Sequence, residues 1–142
     1  MSERYKLELT PEDDGTLLVT CPAMPEVTSF GTTRNEAMAH GGLAIEEAIA
    51  ARMAHWRDVP PGDSPVGADV VELPLLASVK LLLYRQCRAS DVTRAELTRR
   101  LGWHREQVDR LFRLEHASRL DQIEAAFRAI GRTVDVAVRD AA

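Results

Sequence analysis

The sequence predicts an α+β fold in two parts: a β-β-β-α-β unit over residues 1–74, and a helical unit over 75–142 that ends in a single strand. Three observations predict it. Apolar residues alternate with a period of two near the N-terminus and recur at helical spacing after Leu75. A Pro- and Gly-containing loop at 60–65, followed by Pro74, punctuates the change. Charge divides at the same place. Residues 1–74 carry 5 Lys and Arg against 13 Asp and Glu, a net −8, whereas residues 75–142 carry 13 against 9, a net +4. A basic half suits a polyanion and an acidic half suits a basic partner.

From the N-terminus, Tyr5, Leu7 and Leu9 share one face of a half-buried strand over Arg4 to Thr10. Pro11-Glu12-Asp13-Asp14-Gly15 turns the chain into a second strand, Leu17 to Cys21, to form a hairpin. Pro22-Ala23-Met24-Pro25 breaks that strand, and Val27 to Phe30 makes a third, closed by Gly31. Thr33, with Glu36 three residues on, reads as a capping box opening a helix to about Trp56. Its buried stripe is Ala37, Gly41, Ala44, Ile45, Ala48, Ile49 and Trp56, mostly small residues that let it lie close on the sheet. After a linker-like loop at 60–65, Ala68 to Leu73 reads as the fourth strand, stopped by Pro74.

Four helices follow: Leu75 to Ala89, Val92 to Leu101, Trp103 to Leu114 and Ser118 to Ile130, the last capped by Gly131. Thr133 to Val138 alternates again, with Val134, Val136 and Val138 on one face. A lone strand does not stand in water, so this one is expected to pair with a second copy of the chain. Each half is also near the size at which one core is marginal by itself, which favours an oligomer.

The informative stretch runs from Val92 to Leu111. Thr93 and Glu96 form a second capping box, and Gly102 supplies the positive φ of a tight turn between two short helices. Leu97 and Leu101 face inward from the first helix, Val108 and Leu111 from the second. The spacing resembles the helix-turn-helix of phage-repressor-like proteins, with one departure. Thr98 stands where that motif prefers Ala, because the helices nearly touch there. In such a motif the N-terminal part of the second helix enters the major groove. The candidate base-contacting residues are Arg94, His104, Arg105, Glu106, Asp109 and Arg110. Arg105 suits two-pronged pairing with guanine, and Glu106 can accept from cytosine. Thr93, Arg113, His116, Ser118 and Arg119 are the candidate phosphate contacts, which position rather than specify. A carboxylate facing DNA needs a partner, and Arg105 and Arg113 each lie four residues from Asp109.

Enzyme chemistry finds little support. The four histidines, His40, His55, His104 and His116, and the two cysteines, Cys21 and Cys87, lack zinc spacing, so no metal or cofactor is expected. No nucleophile elbow or Walker sequence occurs. His40-Gly41-Gly42 falls inside an amphipathic helix and reads as close helix–sheet packing rather than a phosphate loop. The strand order of the first part resembles a fragment of ribonuclease H, but such nucleases gather several carboxylates around metal ions. Glu8 is the one acid well inside the early strands, while Asp13 and Asp14 sit in a turn, so this part is read as non-catalytic. The N-terminus has no apolar run and no stretch of about 20 apolar residues occurs, so neither a secretory signal nor a membrane span is expected. Two cysteines in separate halves point to a reduced, cytoplasmic protein.

Taken together, the sequence resembles the HicB family of antitoxins, in its helix-turn-helix branch. The resemblance covers nearly the whole chain. It is most specific over Glu72-Leu73-Pro74-Leu75, Lys80-Leu81-Leu82-Leu83, Glu96-Leu97-Thr98-Arg99-Arg100-Leu101-Gly102 and His116-Ala117-Ser118-Arg119-Leu120-Asp121. Pro25-Glu26 and Thr32-Thr33-Arg34-Asn35-Glu36-Ala37-Met38 match more weakly. The resemblance implies a partial ribonuclease-H-like N-terminal domain that sterically inhibits a HicA-type toxin, a small basic RNase that cleaves mRNA. It also implies a C-terminal domain that dimerises and represses its own operon; a dimer would place two recognition helices on an inverted repeat, and the sequence leaves open whether dimers pair into tetramers. No motif assigns the toxin-contacting residues. The alternatives are a stand-alone repressor with a small-molecule-sensing N-terminal domain, and a DNA-targeted nuclease dependent on Glu8.

Overall fold

The computed structural model describes residues 3–141. The chain divides into two compact units, Met1–Val79 and Lys80–Ala142. The mixed α+β class holds, with strands confined to the first unit and helices making up the second.

In the first unit, β1 (Arg4–Lys6) and β2 (Glu8–Pro11) replace the expected single strand. The run changes partner at Leu7: β1 pairs antiparallel with β5 (Val70–Glu72), whereas β2 pairs antiparallel with β3 (Leu17–Thr20). The alternation predicted for this run is present, since Tyr5 and Leu7 are fully buried and Lys6 and Glu8 are exposed. β3 pairs in turn with β4 (Thr28–Gly31), giving a three-stranded β2-β3-β4 meander. Gly15, at φ 86°, closes the first turn, and the Asp14 carboxylate accepts from the Thr16 hydroxyl at 2.6 Å and its N–H at 3.0 Å. Those bonds hold the Asp14 carboxyl below its ordinary range, so this acid shapes a turn.

α1 (Arg34–Ala54) begins at the predicted cap, with Thr33 Oγ1 accepting from the Glu36 N–H at 3.1 Å. The Glu36 carboxylate reaches back one residue further than a capping box requires, to the Thr32 N–H at 3.0 Å. Ala37, Gly41, Ile45, Ala48 and Ile49 are buried as expected, but Ala44 is half-buried, and Met53 rather than Trp56 completes the stripe. The helix stops before Trp56, which takes φ 55° and ends the turn. Arg52 grips the Glu26 carboxylate with two N–H donors, at 2.6 and 2.9 Å, fastening the end of α1 to the loop before β4.

Gly41 is a point of close approach between helix and sheet. A Cβ there would lie 2.5 Å from Leu7 Cδ1 and 2.8 Å from Val19 Cγ1. Gly41→Ala is therefore expected to destabilise the first unit by about 1–3 kcal/mol through overpacking. A urea midpoint equal to that of the unmodified protein would refute this contact. The 60–65 loop is no free linker, because it is tied to β1: Arg4 N–H donates to Gly62 O at 2.8 Å, and the Tyr5 hydroxyl donates to Pro60 O at 2.7 Å.

α2 (Leu75–Ala89) crosses the division between units and has the predicted limits. In the second unit, α3 (Arg94–Leu101), α4 (Arg105–Leu111) and α5 (Leu120–Ala129) pack around Leu81, Tyr84, Leu97, Val108, Leu111, Ile123 and Phe127. Tyr84 and Phe112 meet edge-to-face at 6.2 Å. Thr133 to Val138, expected as a strand, has no regular structure in the single chain. A strand is defined by its ladder, and no described strand of this chain pairs with it, leaving Val136 and Val138 84% and 95% exposed.

Candidate nucleic-acid interface

The turn between α3 and α4 is built as its local sequence dictates. Thr93 Oγ1 accepts from the Glu96 N–H at 3.1 Å and caps α3. Gly102 closes it at φ 68°, with nothing within 4 Å of a Cβ placed there, so backbone conformation alone calls for glycine. Leu97, Val108 and Leu111 are buried between the helices, and Leu101 is half-buried. Thr98 fits the close contact because its hydroxyl folds back to donate to Arg94 O at 2.7 Å. α4 starts at Arg105 rather than Trp103. His104 is its cap residue, and the Gln107 side chain accepts from the His104 N–H at 3.0 Å.

The second half of the expected capping box on α3 does not form. The Glu96 carboxylate instead accepts from Arg99 through two nitrogens and from Arg100 Nε at 3.0 Å. These arginines, Arg99 first, hold its carboxyl down to about 2. A depressed carboxylate stabilises the fold above its ordinary value near 4.5 and loses that contribution as pH falls toward 2. Unfolding followed from pH 5 to 2 should show this loss, and Glu96→Gln should flatten it. An unchanged slope in the variant would exclude Glu96 as its source.

Of the residues expected to read bases, His104, Arg105, Glu106 and Arg110 are exposed on α4 or at its cap. Asp109 is half-buried, and among the described residues no ion pair joins it to Arg105 or Arg113. Arg94 stands apart in character. Its guanidinium lies 5.7 Å from the centre of the Phe112 ring, so the side chain is braced against the core of the unit. Thr93, Arg113 and Arg119 are exposed, and Arg119 pairs with Asp121 at 2.6 Å. Thr93 spends only an acceptor lone pair on its cap and keeps its O–H proton to donate. His116 and Ser118 are turned into the fold: Ser118 Oγ donates to Arg110 O at 3.3 Å, so the His116 Nδ1–H donates to Ser118 Oγ at 3.1 Å.

The residue that organises this region is Lys80, which lay outside the expected site set. It is fully buried, and its ammonium donates to Arg110 O at 3.0 Å, Arg113 O at 2.6 Å and His116 O at 2.5 Å. Burial pushes Lys80 down to about 8, with the Glu115 charge opposing, so the three-proton ammonium form predominates at neutral pH. α4 ends at Leu111 rather than Leu114, and the chain then runs through tight turns. Arg113 N–H donates to Arg110 O at 3.3 Å and His116 N–H to Arg113 O at 3.2 Å, and the second lone pairs of these carbonyls accept from the ammonium. A signal existed in the sequence, since Lys80 interrupts the apolar stripe of Ala77, Leu81, Tyr84 and Cys87. Arg100 adds a second tie, donating to Ala129 O at 3.1 Å at the end of α5.

Of the acids weighed for nuclease chemistry, Glu8 is exposed on β2, and Asp13 and Asp14 are exposed in the following turn. No group of three His, Cys, Asp or Glu that could hold a metal occurs among the described residues. His40 is exposed and its Nδ1–H donates to Phe30 O at 2.6 Å. Cys21 and Cys87 are buried free thiols, and burial raises Cys87 to about 11. No described helix is long and apolar enough to cross a membrane.

Residues 4–82 match a family described as the HicB-like antitoxin of bacterial toxin–antitoxin systems. The chain is similar along almost its full length to several curated proteins. Antitoxin HicB of Pseudomonas fluorescens is 34% identical over 139 residues, covering 96% of this chain and 94% of the relative. Antitoxin HicB 1 of Photorhabdus laumondii is 31% identical over 137 residues, covering 95% and 86%. Antitoxin HicB of Escherichia coli K12 is 30% identical over 138 residues, covering 94% and 97%. With the family match spanning more than half the chain and these relatives aligned over most of its length, the chain belongs to the HicB-like antitoxin family.

Proposed function

We propose that this protein is the antitoxin of a HicA-type RNase toxin and the repressor of the operon that encodes the pair, acting in the cytoplasm. The observation that carries the DNA-binding half is α3–Gly102–α4: two capped helices on a buried Leu97–Val108–Leu111 seam, with Arg105 and Arg110 exposed along α4. Residues 75–142 serve as the DNA-binding and dimerising part, and 1–74 as the part that captures the toxin. The net −8 of the latter favours a basic partner. Inhibition is steric, by covering the toxin's catalytic surface.

In this reading His104, Arg105, Glu106, Asp109 and Arg110 face base edges, with Arg94 at the groove margin, and Thr93, Arg113 and Arg119 meet phosphates. The bonds of His116 and Ser118 favour a supporting role in the turn over direct phosphate contact. Two copies, joined through the 133–138 segments, would set two α4 helices about 34 Å apart on an inverted repeat.

The test is purification of the tagged full-length chain from its host, with co-purifying proteins identified by mass. A stoichiometric small basic protein that cleaves RNA once freed, together with binding to an inverted repeat upstream of the pair's genes, supports the reading. Recovery of the homo-oligomer alone, with DNA binding intact and released by a metabolite, would replace it with a stand-alone sensor-repressor.

A further inference from the structure

Only 2 of the 18 basic residues in this chain are lysines, Lys6 and Lys80. Lys6 is exposed on β1, whereas Lys80 is fully buried. Arginine therefore serves nearly every cationic position except the one enclosed in the core of the second unit. The chemistry of that position explains the exception. Three carbonyls, those of Arg110, Arg113 and His116, converge on one point from the end of α4 and the turn that follows. An ammonium directs three protons tetrahedrally from a single atom and can meet all three. A guanidinium spreads its donors in a plane and cannot.

The three carbonyls belong to the proposed DNA interface and its supporting turn: Arg110 on the reading helix, Arg113 beyond it and His116 in the turn. A single side chain thus ties the C-terminal end of α4 to α2 and fixes the course of residues 110–116. Ser118 adds a bond to the same Arg110 carbonyl at 3.3 Å. We propose that Lys80 is the positioning residue of the DNA-reading helix, setting the angle of α4 and the placement of Arg113 and Arg119 against flanking phosphates without touching DNA itself. The inference rests on the DNA-binding reading above and goes beyond it, because it assigns the geometry of the reading surface to a buried group on another helix.

The experiment uses the full-length protein and a duplex selected from a random pool by the wild type. Binding is measured against salt for the wild type, Lys80→Met and Lys80→Gln, after circular dichroism and gel filtration confirm folded material. Each phosphate contact contributes about 0.9 to the slope of log affinity against log salt. The slope should fall by about 1 to 2 in Lys80→Met and by less in Lys80→Gln, which keeps two N–H donors on a similar stem. A residue that only stabilised the core would lower the melting temperature and leave the slope of folded protein unchanged, and that result would overturn the proposal. Should neither variant fold, wild-type protein labelled with 15N-lysine decides. It has two ammonium signals, and the buried one should shift when duplex is added. A Lys80 signal unmoved at saturating duplex would equally overturn it. Failure of the wild type to bind any duplex would instead remove the DNA-binding reading, and this inference with it.

Discussion

Lys80→Met is expected to destabilise the second unit by about 3 kcal/mol. Two terms oppose each other. Methionine removes an ammonium whose burial is unfavourable, as its lowered proton affinity records. It also removes a charged donor from three carbonyls at once, each of which keeps one backbone N–H partner, and a hydrogen bond to a charged group contributes about 1.5–3 kcal/mol. The loss exceeds the relief because methionine has nearly the right volume but no proton to offer, and the N–H groups of Arg113, His116 and Ser118 each fill only one lone pair of these carbonyls. Urea unfolding monitored in the second unit would register a lower midpoint with an unchanged m-value. A loss below about 1 kcal/mol would mean that water or a rearranged turn replaces the ammonium easily. Lys80→Arg should recover only part of the loss, since its planar donors match the charge and not the geometry.

The second large effect is on DNA. Arg105→Ala should cost about 1–3 kcal/mol against the preferred duplex and relax discrimination at one base pair, because a two-pronged contact to guanine is both attraction and readout. Arg105 lies in the first turn of α4 and is exposed, with no ion pair to Asp109 that would need breaking. Arg113→Ala is the contrasting variant. It should weaken binding to all sequences alike and lower the salt slope by about 1, as expected of a phosphate contact. A selection from random duplex run with each variant separates the two. If Arg105→Ala returns the wild-type consensus, α4 is not placed in the groove as proposed, whatever the change in affinity.

Much of the architecture follows from interactions within four residues along the chain, and those were legible. The Thr33 and Thr93 caps, the positive φ at Gly102 and the limits of α2 come from side chains acting on their own backbone. Alternation of Tyr5 and Leu7 with Lys6 and Glu8 identified the first strand's buried face, and the small residue at Gly41 announced close helix–sheet packing. The exposed face of α4 was legible for the same reason: once Val108 and Leu111 are turned inward, helical geometry fixes where Arg105 and Arg110 must point.

What the tertiary structure decided depends on partners distant in sequence. The first strand divides because β5, more than 60 residues away, pairs with one half and β3 with the other. The Glu96 carboxylate is the local exception: Arg99 and Arg100, three and four residues on, draw it from its capping box, since a charge-assisted bond outweighs a neutral N–H. Residues 133–138 have the alternation of a strand and no ladder, because pattern supplies a face but only a neighbour supplies hydrogen bonds. Lys80 makes the same point most sharply. Its position on an apolar stripe was visible, but its acceptors lie 30 to 36 residues further on. A buried charge is tolerable only where the fold brings such acceptors together, and sequence spacing does not record that convergence.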